Sequence, residues 1–207
     1  MSGADLEGEV REGYKRVQLG PKEVEIPVEW EIKPVTELFD IRKEGYSPSD
    51  TDEPVWLYSM PAFDDEQEPI QTTAKEIGSK KYHVPNDTIL FPKLNIRKRR
   101  FWRVQHNHDE TVVCSTEFWP LIPPTDLCLD YYQIYFNSSV FMRNPKVSTS
   151  SSTNSHKRVK EGSFNRVKLP VPPQPEQRRI AAVLSLSTRK FGRPWRSLRR
   201  QQRSERD

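Results

Sequence analysis

Cysteine and glycine are both scarce in this chain, two and eight of 207 residues. Two cysteines cannot make the disulfide framework of a small secreted domain or a four-thiolate zinc site. Cys114 and Cys128 sit among apolar residues and are expected to be reduced and buried, as in a cytoplasmic protein. The glycines are nowhere grouped into a phosphate-cradling loop, so no nucleotide-cofactor motif is expected. No apolar run approaches the ~20 residues of a membrane helix. The opening Met1-Ser2-Gly3-Ala4-Asp5-Leu6-Glu7-Gly8-Glu9 lacks a basic region followed by an apolar one and does not read as a secretory signal.

Catalytic and metal signatures are missing too. Glu31-Ile32-Lys33 matches half of a nuclease site, but no Pro-Asp pair precedes it. Asn144-Pro145-Lys146 is not the Asn-Pro-Pro-aromatic motif of amino-methyltransferases, and no strained serine elbow is recognisable. His106, His108 and Asp109 are loosely spaced, with no second His/Cys cluster to complete a metal site. No catalytic residue, metal or cofactor is therefore expected.

What the chain has is charge, 30% of its residues, and proline, eighteen in all. The net charge of +4 hides an asymmetry. Residues 1–80 carry nine Lys/Arg against nineteen Asp/Glu, and residues 81–207 carry twenty-four against ten. A basic body behind an acidic opening suggests one face for a polyanion and another that avoids it. The densest basic run is Lys93 to Arg103, six cations in eleven residues flanked by aromatics. Lysine and arginine attract phosphate, and arginine and asparagine also read base edges. Lys93, Asn95, Arg97, Lys98, Arg99 and Arg100 are the candidate DNA-binding residues there. A second basic patch, Ser155, His156, Lys157 and Arg158, follows a serine-rich stretch at 148–155 and offers small side chains beside cations for phosphate contacts.

Local patterns predict an α+β fold with a curled, β-rich body and a few short helices. Residues 1–13 read as a disordered acidic opening. Residues 14–33 read as an extended lead-in with Trp30 as a core anchor, followed by a short helix between Pro34 and Phe39. Strands are expected at 55–60, 88–91, 101–105, 111–114 and 117–122. An acidic loop at 63–68 and a hairpin-like turn at 106–109 separate some of them. Asp126 is expected to cap a helix from Leu127 to about Phe136, with a helical turn near 140–143. The last extended piece, 167–171, meets the most informative junction in the chain. Pro170, Pro172, Pro173 and Pro175 hold the backbone extended, and a helix then starts abruptly. Pro175 is tolerated in its first turn, Glu176 places an anion near its N-terminus, and Ile180, Val183 and Leu184 share one face.

These segments together resemble one family, the specificity subunits of type I restriction-modification systems. Ile26-Pro27-Val28-Glu29-Trp30 is similar to the opening of a specificity-subunit half, and Phe39-Asp40-Ile41-Arg42-Lys43 to the motif after it. Tyr58 to Asp64, Asp87 to Asn95 and Ser115 to Phe118 look like internal motifs of its target-recognition domain. Asn154 to Val159 resembles the small-then-basic motif before the hinge, and Pro172 to Leu184 the hinge itself. The resemblance covers roughly residues 14–185. It implies a target-recognition domain at 14–174 that binds double-stranded DNA sequence-specifically and has no catalysis of its own. It also implies the start of a spacer helix at 175–186, whose Glu176, Gln177, Arg178, Ile180, Val183 and Leu184 face partner subunits. Methyltransferase and restriction-translocase subunits would supply the S-adenosylmethionine, ATP and Mg chemistry, and a second half-subunit is a possible partner. Two departures stand out. One recognition domain is present where the family has two, and residues 186–207 hold eight Lys/Arg against two acids, with Gly192 and Pro194 where a long heptad helix is expected. The expectation is a basic, disordered tail at 187–207 on a truncated half-subunit. A remnant that binds DNA nonspecifically or only a partner subunit, and a small metal-dependent endonuclease, stand as rival readings.

Overall fold

The computed structural model describes residues 10–106, 109–147 and 158–190. A hairpin of β1 (Tyr14–Leu19) and β2 (Lys22–Pro27) comes first, followed by β3 (Glu31–Pro34), α1 (Val35–Leu38), β4 (Asp40–Ile41) and β5 (Gly45–Tyr46). Next are β6 (Pro54–Tyr58), α2 (Met60–Asp65), β7 (Ile70–Thr73), β8 (Lys81–His83), β9 (Thr88–Pro92) and β10 (Trp102–Val104). Then come β11 (Thr111–Ser115), β12 (Phe118–Ile122), α3 (Leu129–Asn137), α4 (Ser139–Met142) and α5 (Glu161–Phe164). β13 (Lys168–Val171) and α6 (Gln174–Lys190) end the described chain.

Among the described residues the strands form four sheets, two of them two-stranded. The four-stranded sheet runs β10-β9-β12-β4 and is antiparallel throughout. The five-stranded sheet runs β5-β8-β11-β6-β7, and its β11–β6 pair is parallel. The chain crosses repeatedly between these two sheets. The fold is therefore mixed α+β.

The alternation in β9 explains how the layers join. All five of its residues are buried. Ile89 and Phe91 point into the larger core against α3, α5 and α6, while Leu90 points the other way, among Tyr58, Trp102, Val112 and Phe118. Strand β11 does the same, with Val113 on one face and Val112 and Cys114 on the other. Phe91 is fully buried and packs on Phe101, Trp119, Phe136, Phe141 and Phe164, with ring centroids 4.3–6.2 Å apart. Burying such a ring contributes about 1.5–3 kcal/mol, and each well-angled aromatic pair adds about 0.5–1.5 kcal/mol.

Several local expectations change. The lead-in at 14–27 is a hairpin turning at Gly20, whose φ of +67° suits glycine and whose Cβ position would lie 3.3 Å from the Asn144 backbone. Arg11 and Gly13, placed with the disordered opening by sequence, are tied to it: Arg11 pairs with Glu25 at 2.9 Å, and the Gly13 carbonyl accepts from the Val28 amide at 3.0 Å. Residues 1–9 lie outside the described residues. Trp30 is half-buried at the edge of the domain and is not a core anchor. The strand at 55–60 stops at Tyr58, and the supposed acidic loop begins as α2, capped by the Ser59 hydroxyl accepting from the Ala62 amide. Asn107 and His108 of the expected turn lie outside the described residues, and the strands on either side do not pair as a hairpin. β10 pairs with β9, while β11 is central in its sheet and is hydrogen-bonded along both edges, to β6 and to β8. Asp126 does not cap α3, whose N-cap is Cys128. Its carboxylate instead accepts from Gln174 and Arg178 of α6.

The two ends of the domain meet. β13 pairs antiparallel with β3, and the Val35 amide donates to the Val167 carbonyl at 2.8 Å. The proline-rich extended piece is therefore a strand, and α6 starts where it ends.

Candidate nucleic-acid interface

After β9 the chain leaves the sheet at Lys93, makes a 3-10 turn at Ile96–Lys98 and returns at Phe101. Asn95 and Arg99 flank the turn in the left-handed region, at φ +51° and +53°. Residues other than glycine rarely adopt this conformation, and surrounding structure must hold them there. The Ile96 side chain is buried beneath. The Arg99 guanidinium donates to the Asn137 carbonyl at the end of α3, at 2.9 Å. At the loop's exit the Gln133 amide donates to the Phe101 carbonyl at 2.9 Å.

Arg100 faces inward. Its side chain is 7% exposed, and its Nε and Nη2 fork onto the Asp64 carboxylate of α2 at 2.7 and 2.5 Å. This bidentate pair holds the loop down on α2. The bond from Arg100 keeps the Asp64 carboxyl below the usual carboxylate range. Lys98 lies 3.9 Å from the same carboxylate with its side chain mostly exposed. Arg97 is exposed and has no hydrogen-bond or ion-pair partner among the described residues.

Arg158, the last residue of the second basic segment, lies beside the first. Leu94 and Arg158 form an isolated antiparallel bridge, and the Val159 amide donates to the Lys93 carbonyl at 2.8 Å. The Lys93 amide in turn donates to the Glu117 carbonyl at 3.0 Å, in the turn between β11 and β12. Arg158 forks onto the Glu117 carboxylate, Nε to Oε2 at 3.0 Å and Nη2 to Oε1 at 2.6 Å. That contact holds the Glu117 carboxyl below its ordinary range. Ser155, His156 and Lys157 lie outside the described residues. Arg158 thus lies beside Lys93, Arg97 and Lys98 are exposed further along the same loop, Arg99 is pinned to α3 and Arg100 is turned inward.

Asp64 and Glu117 are not among the candidate site residues, although both lie in segments that resemble internal motifs of the family. Nothing local in the sequence pairs Asp64 with Arg100 or Glu117 with Arg158.

The first two turns of α6 dock on the domain itself. Glu176 accepts from the Trp30 indole at 2.9 Å, Gln177 is 2% exposed and donates to the Pro172 carbonyl, and Arg178 reaches Asp126. Ile180 packs against the main core. Val183 and Leu184 are 56% and 41% exposed. The helix continues past the expected 186 to Lys190, the last described residue. The tail at 191–207 lies outside the described residues. Among the described residues no helix is long and apolar enough to cross a membrane, and no three His, Cys, Asp or Glu side chains are grouped to hold a metal ion.

A mixed-sheet α+β domain, closed on itself by a terminal strand pair and leaving through a docked helix, defines the architecture. Residues 27–191 match the family described as the type I restriction modification DNA specificity domain, and the chain belongs to that family. The hairpin β1–β2 lies almost wholly before the matched region. Among solved structures the chain is similar to the HsdS subunit from Thermoanaerobacter tengcongensis, with a TM-score of 0.65 at 18% identity, over 80% of this chain and 44% of that one. It is also similar to a chain from a structure concerned with complex assembly and conformational transition of the type I R-M system, with a TM-score of 0.64 at 17% identity, over 79% and 43%. The chain thus spans less than half the length of these two neighbours, and at these identities the likeness concerns the fold. No curated protein matches the chain in sequence.

Proposed function

We propose that this domain binds double-stranded DNA and reads one half of a bipartite site, as part of the specificity subunit of a type I restriction-modification complex. The observation that carries the proposal is the Leu94–Arg158 bridge. It sets Arg158, far away in sequence, beside Lys93 and Leu94 at the start of the basic loop, the kind of clustering of cations a polyanion attracts. Exposed Arg97 and Lys98, with Lys93 and Arg158, supply the cations, and Ser155, His156 and Lys157 adjoin them in sequence. Lysines would position the duplex through phosphate, while Asn95 and one or two arginines would read bases. Arg99 and Arg100 hold the loop in shape.

In this reading the chain is non-catalytic and works in the cytoplasm. Methyltransferase and restriction-translocase subunits, with their S-adenosylmethionine, ATP and Mg, would do the chemistry, and a second half-subunit would read the other half-site. The exposed Val183 and Leu184, beyond the docked turns of α6, belong to the helix that would face these partners.

The test is selection from a randomised duplex library at low and moderate salt, with and without the cognate methyltransferase subunit. Enrichment of a short half-site is expected, with tighter binding when the partner is present. Salt-sensitive binding with no enrichment would overturn the reading in favour of a fragment that holds DNA without reading it.

A further inference from the structure

Arg158 and Glu117 make an arrangement whose stereochemistry is more specific than a basic patch. A guanidinium has two edges able to donate a pair of parallel hydrogen bonds, the side edge of Nε and Nη2 and the end edge of Nη1 and Nη2. Glu117 occupies the side edge with both carboxylate oxygens. The end edge has no partner among the described residues, and the Arg158 side chain is 53% exposed. Glu117 itself is held at the β11–β12 turn, where its backbone carbonyl accepts from the Lys93 amide and its own amide donates to the Ser115 hydroxyl oxygen. The fork therefore stands on a rigid base, and its plane is set before any ligand arrives.

Resting on the DNA-reading function, we infer that Arg158 is a specificity-determining residue that reads guanine with its end edge, and that Glu117 is the residue that positions it. Guanine presents O6 and N7 as two adjacent acceptors in the major groove, matched to two parallel N–H donors. A phosphate is the poorer partner at this place. Glu117 lies against the guanidinium and repels an approaching anion, whereas a base edge is neutral. The same carboxylate lowers the cost of recognition, because an exposed arginine otherwise gives up its rotamer freedom on binding. Held by Glu117, Arg158 has already given up most of it.

The experiment uses the full chain in the randomised-duplex selection, comparing wild type with Arg158→Lys and Glu117→Gln, each checked for native circular dichroism. The wild type is expected to select guanine at one position by about 10- to 100-fold over other bases, the range of one good bidentate contact. Arg158→Lys keeps the charge but not the fork. It should flatten the preference at that position alone and leave the salt dependence of binding unchanged. Glu117→Gln should weaken the preference at the same position. Replacing that guanine by 7-deazaguanine, which lacks N7, should weaken wild-type binding about 10-fold and leave Arg158→Lys unaffected.

Equal weakening on every sequence by Arg158→Lys would make Arg158 a phosphate contact and overturn the assignment. A preserved preference at all positions would overturn it as well. A flattened position with Arg158→Lys but none with Glu117→Gln would overturn the positioning role of Glu117. No enrichment by the wild type would overturn the DNA-reading function itself, and the guanine assignment with it.

Discussion

The Trp30 indole donates to the Glu176 carboxylate at 2.9 Å, joining two residues 146 apart in the chain. Trp30 ends the opening motif, and Glu176 lies in the first turn of the hinge helix. Together with the β3–β13 pair, this bond fastens the last helix to the start of the domain.

Trp30→Phe keeps most of the ring and removes the donor. It is expected to cost about 1 kcal/mol, the net worth of one hydrogen bond to a half-buried acceptor. Urea unfolding should show a lower midpoint with an unchanged slope. Once Trp30 is Phe, the further change Glu176→Gln should cost much less than it does in the wild type. Strictly additive effects of the two changes would mean the bond does not couple the two ends.

Asp64 and Arg100 give a pH-dependent prediction. The guanidinium is nearly buried, and the carboxylate is 45% exposed. Asp64→Asn should cost about 1–2 kcal/mol, less than a fully buried pair because solvent screens the carboxylate end. The sign of the pH effect follows from the bond with Arg100, which lowers the Asp64 pKa in the folded state. The stabilisation is therefore complete above the unfolded-state value of about 4 and is lost as pH falls through the lower folded-state value. The stability gap between wild type and Asp64→Asn, followed by urea unfolding from pH 6 to pH 2, should narrow in the acid range. A gap that stays constant to pH 2 would contradict the pairing.

These residues also mark what could be read before the fold was known. The buried β9 is legible because its β-branched and aromatic run and the turn before it are local properties. The basic segments and the proline-to-helix junction are local as well. The Asp64–Arg100 clamp is not, because it depends on α2 packing beneath a loop 36 residues further on. Composition marks Arg100 as a surface cation like its neighbours, and only the partner reveals that it points inward. The strands on either side of 106–109 show the same limit. Residues 101–105 and 111–114 look like a hairpin until sheet pairing separates them, since a strand's own sequence does not name its partner. Trp30 looks like a core residue on hydrophobicity alone, and its polar N–H explains why it sits at an edge beside a carboxylate.

The exposed cations of the loop are separable from its clamp. Arg97→Gln and Lys98→Gln remove charges that the fold does not need, and each is expected to leave unfolding within about 0.5 kcal/mol of wild type. Each charge that neutralises a phosphate should lower the slope of log K against log salt by about 0.9 when removed. Arg100→Gln should behave in the opposite way. It leaves Asp64 without its partner, destabilises the domain and disturbs binding through loop shape. Filter binding across a salt series, beside thermal unfolding of the same variants, separates the two classes. An unchanged slope for Arg97→Gln and Lys98→Gln would remove the 3-10 turn from the interface.

The two cysteines should differ sharply in reactivity. Cys114 lies inside β11 with no exposed surface, and burial pushes its thiol pKa far above the ordinary value. Cys128 is half-buried at the start of α3, and burial raises its pKa as well. Thiolate is the reactive form, so both are slowed, and Cys114 is also shielded from reagent. Native protein at pH 8 with an aromatic disulfide reagent should release about one equivalent of thiol slowly, from Cys128, and the second only on denaturation. Cys128→Ser should then leave a native protein that does not react, while Cys114→Ser should retain the slow phase. Rapid release of two equivalents from folded protein would mean that β11 opens far more readily than a strand buried on both faces should.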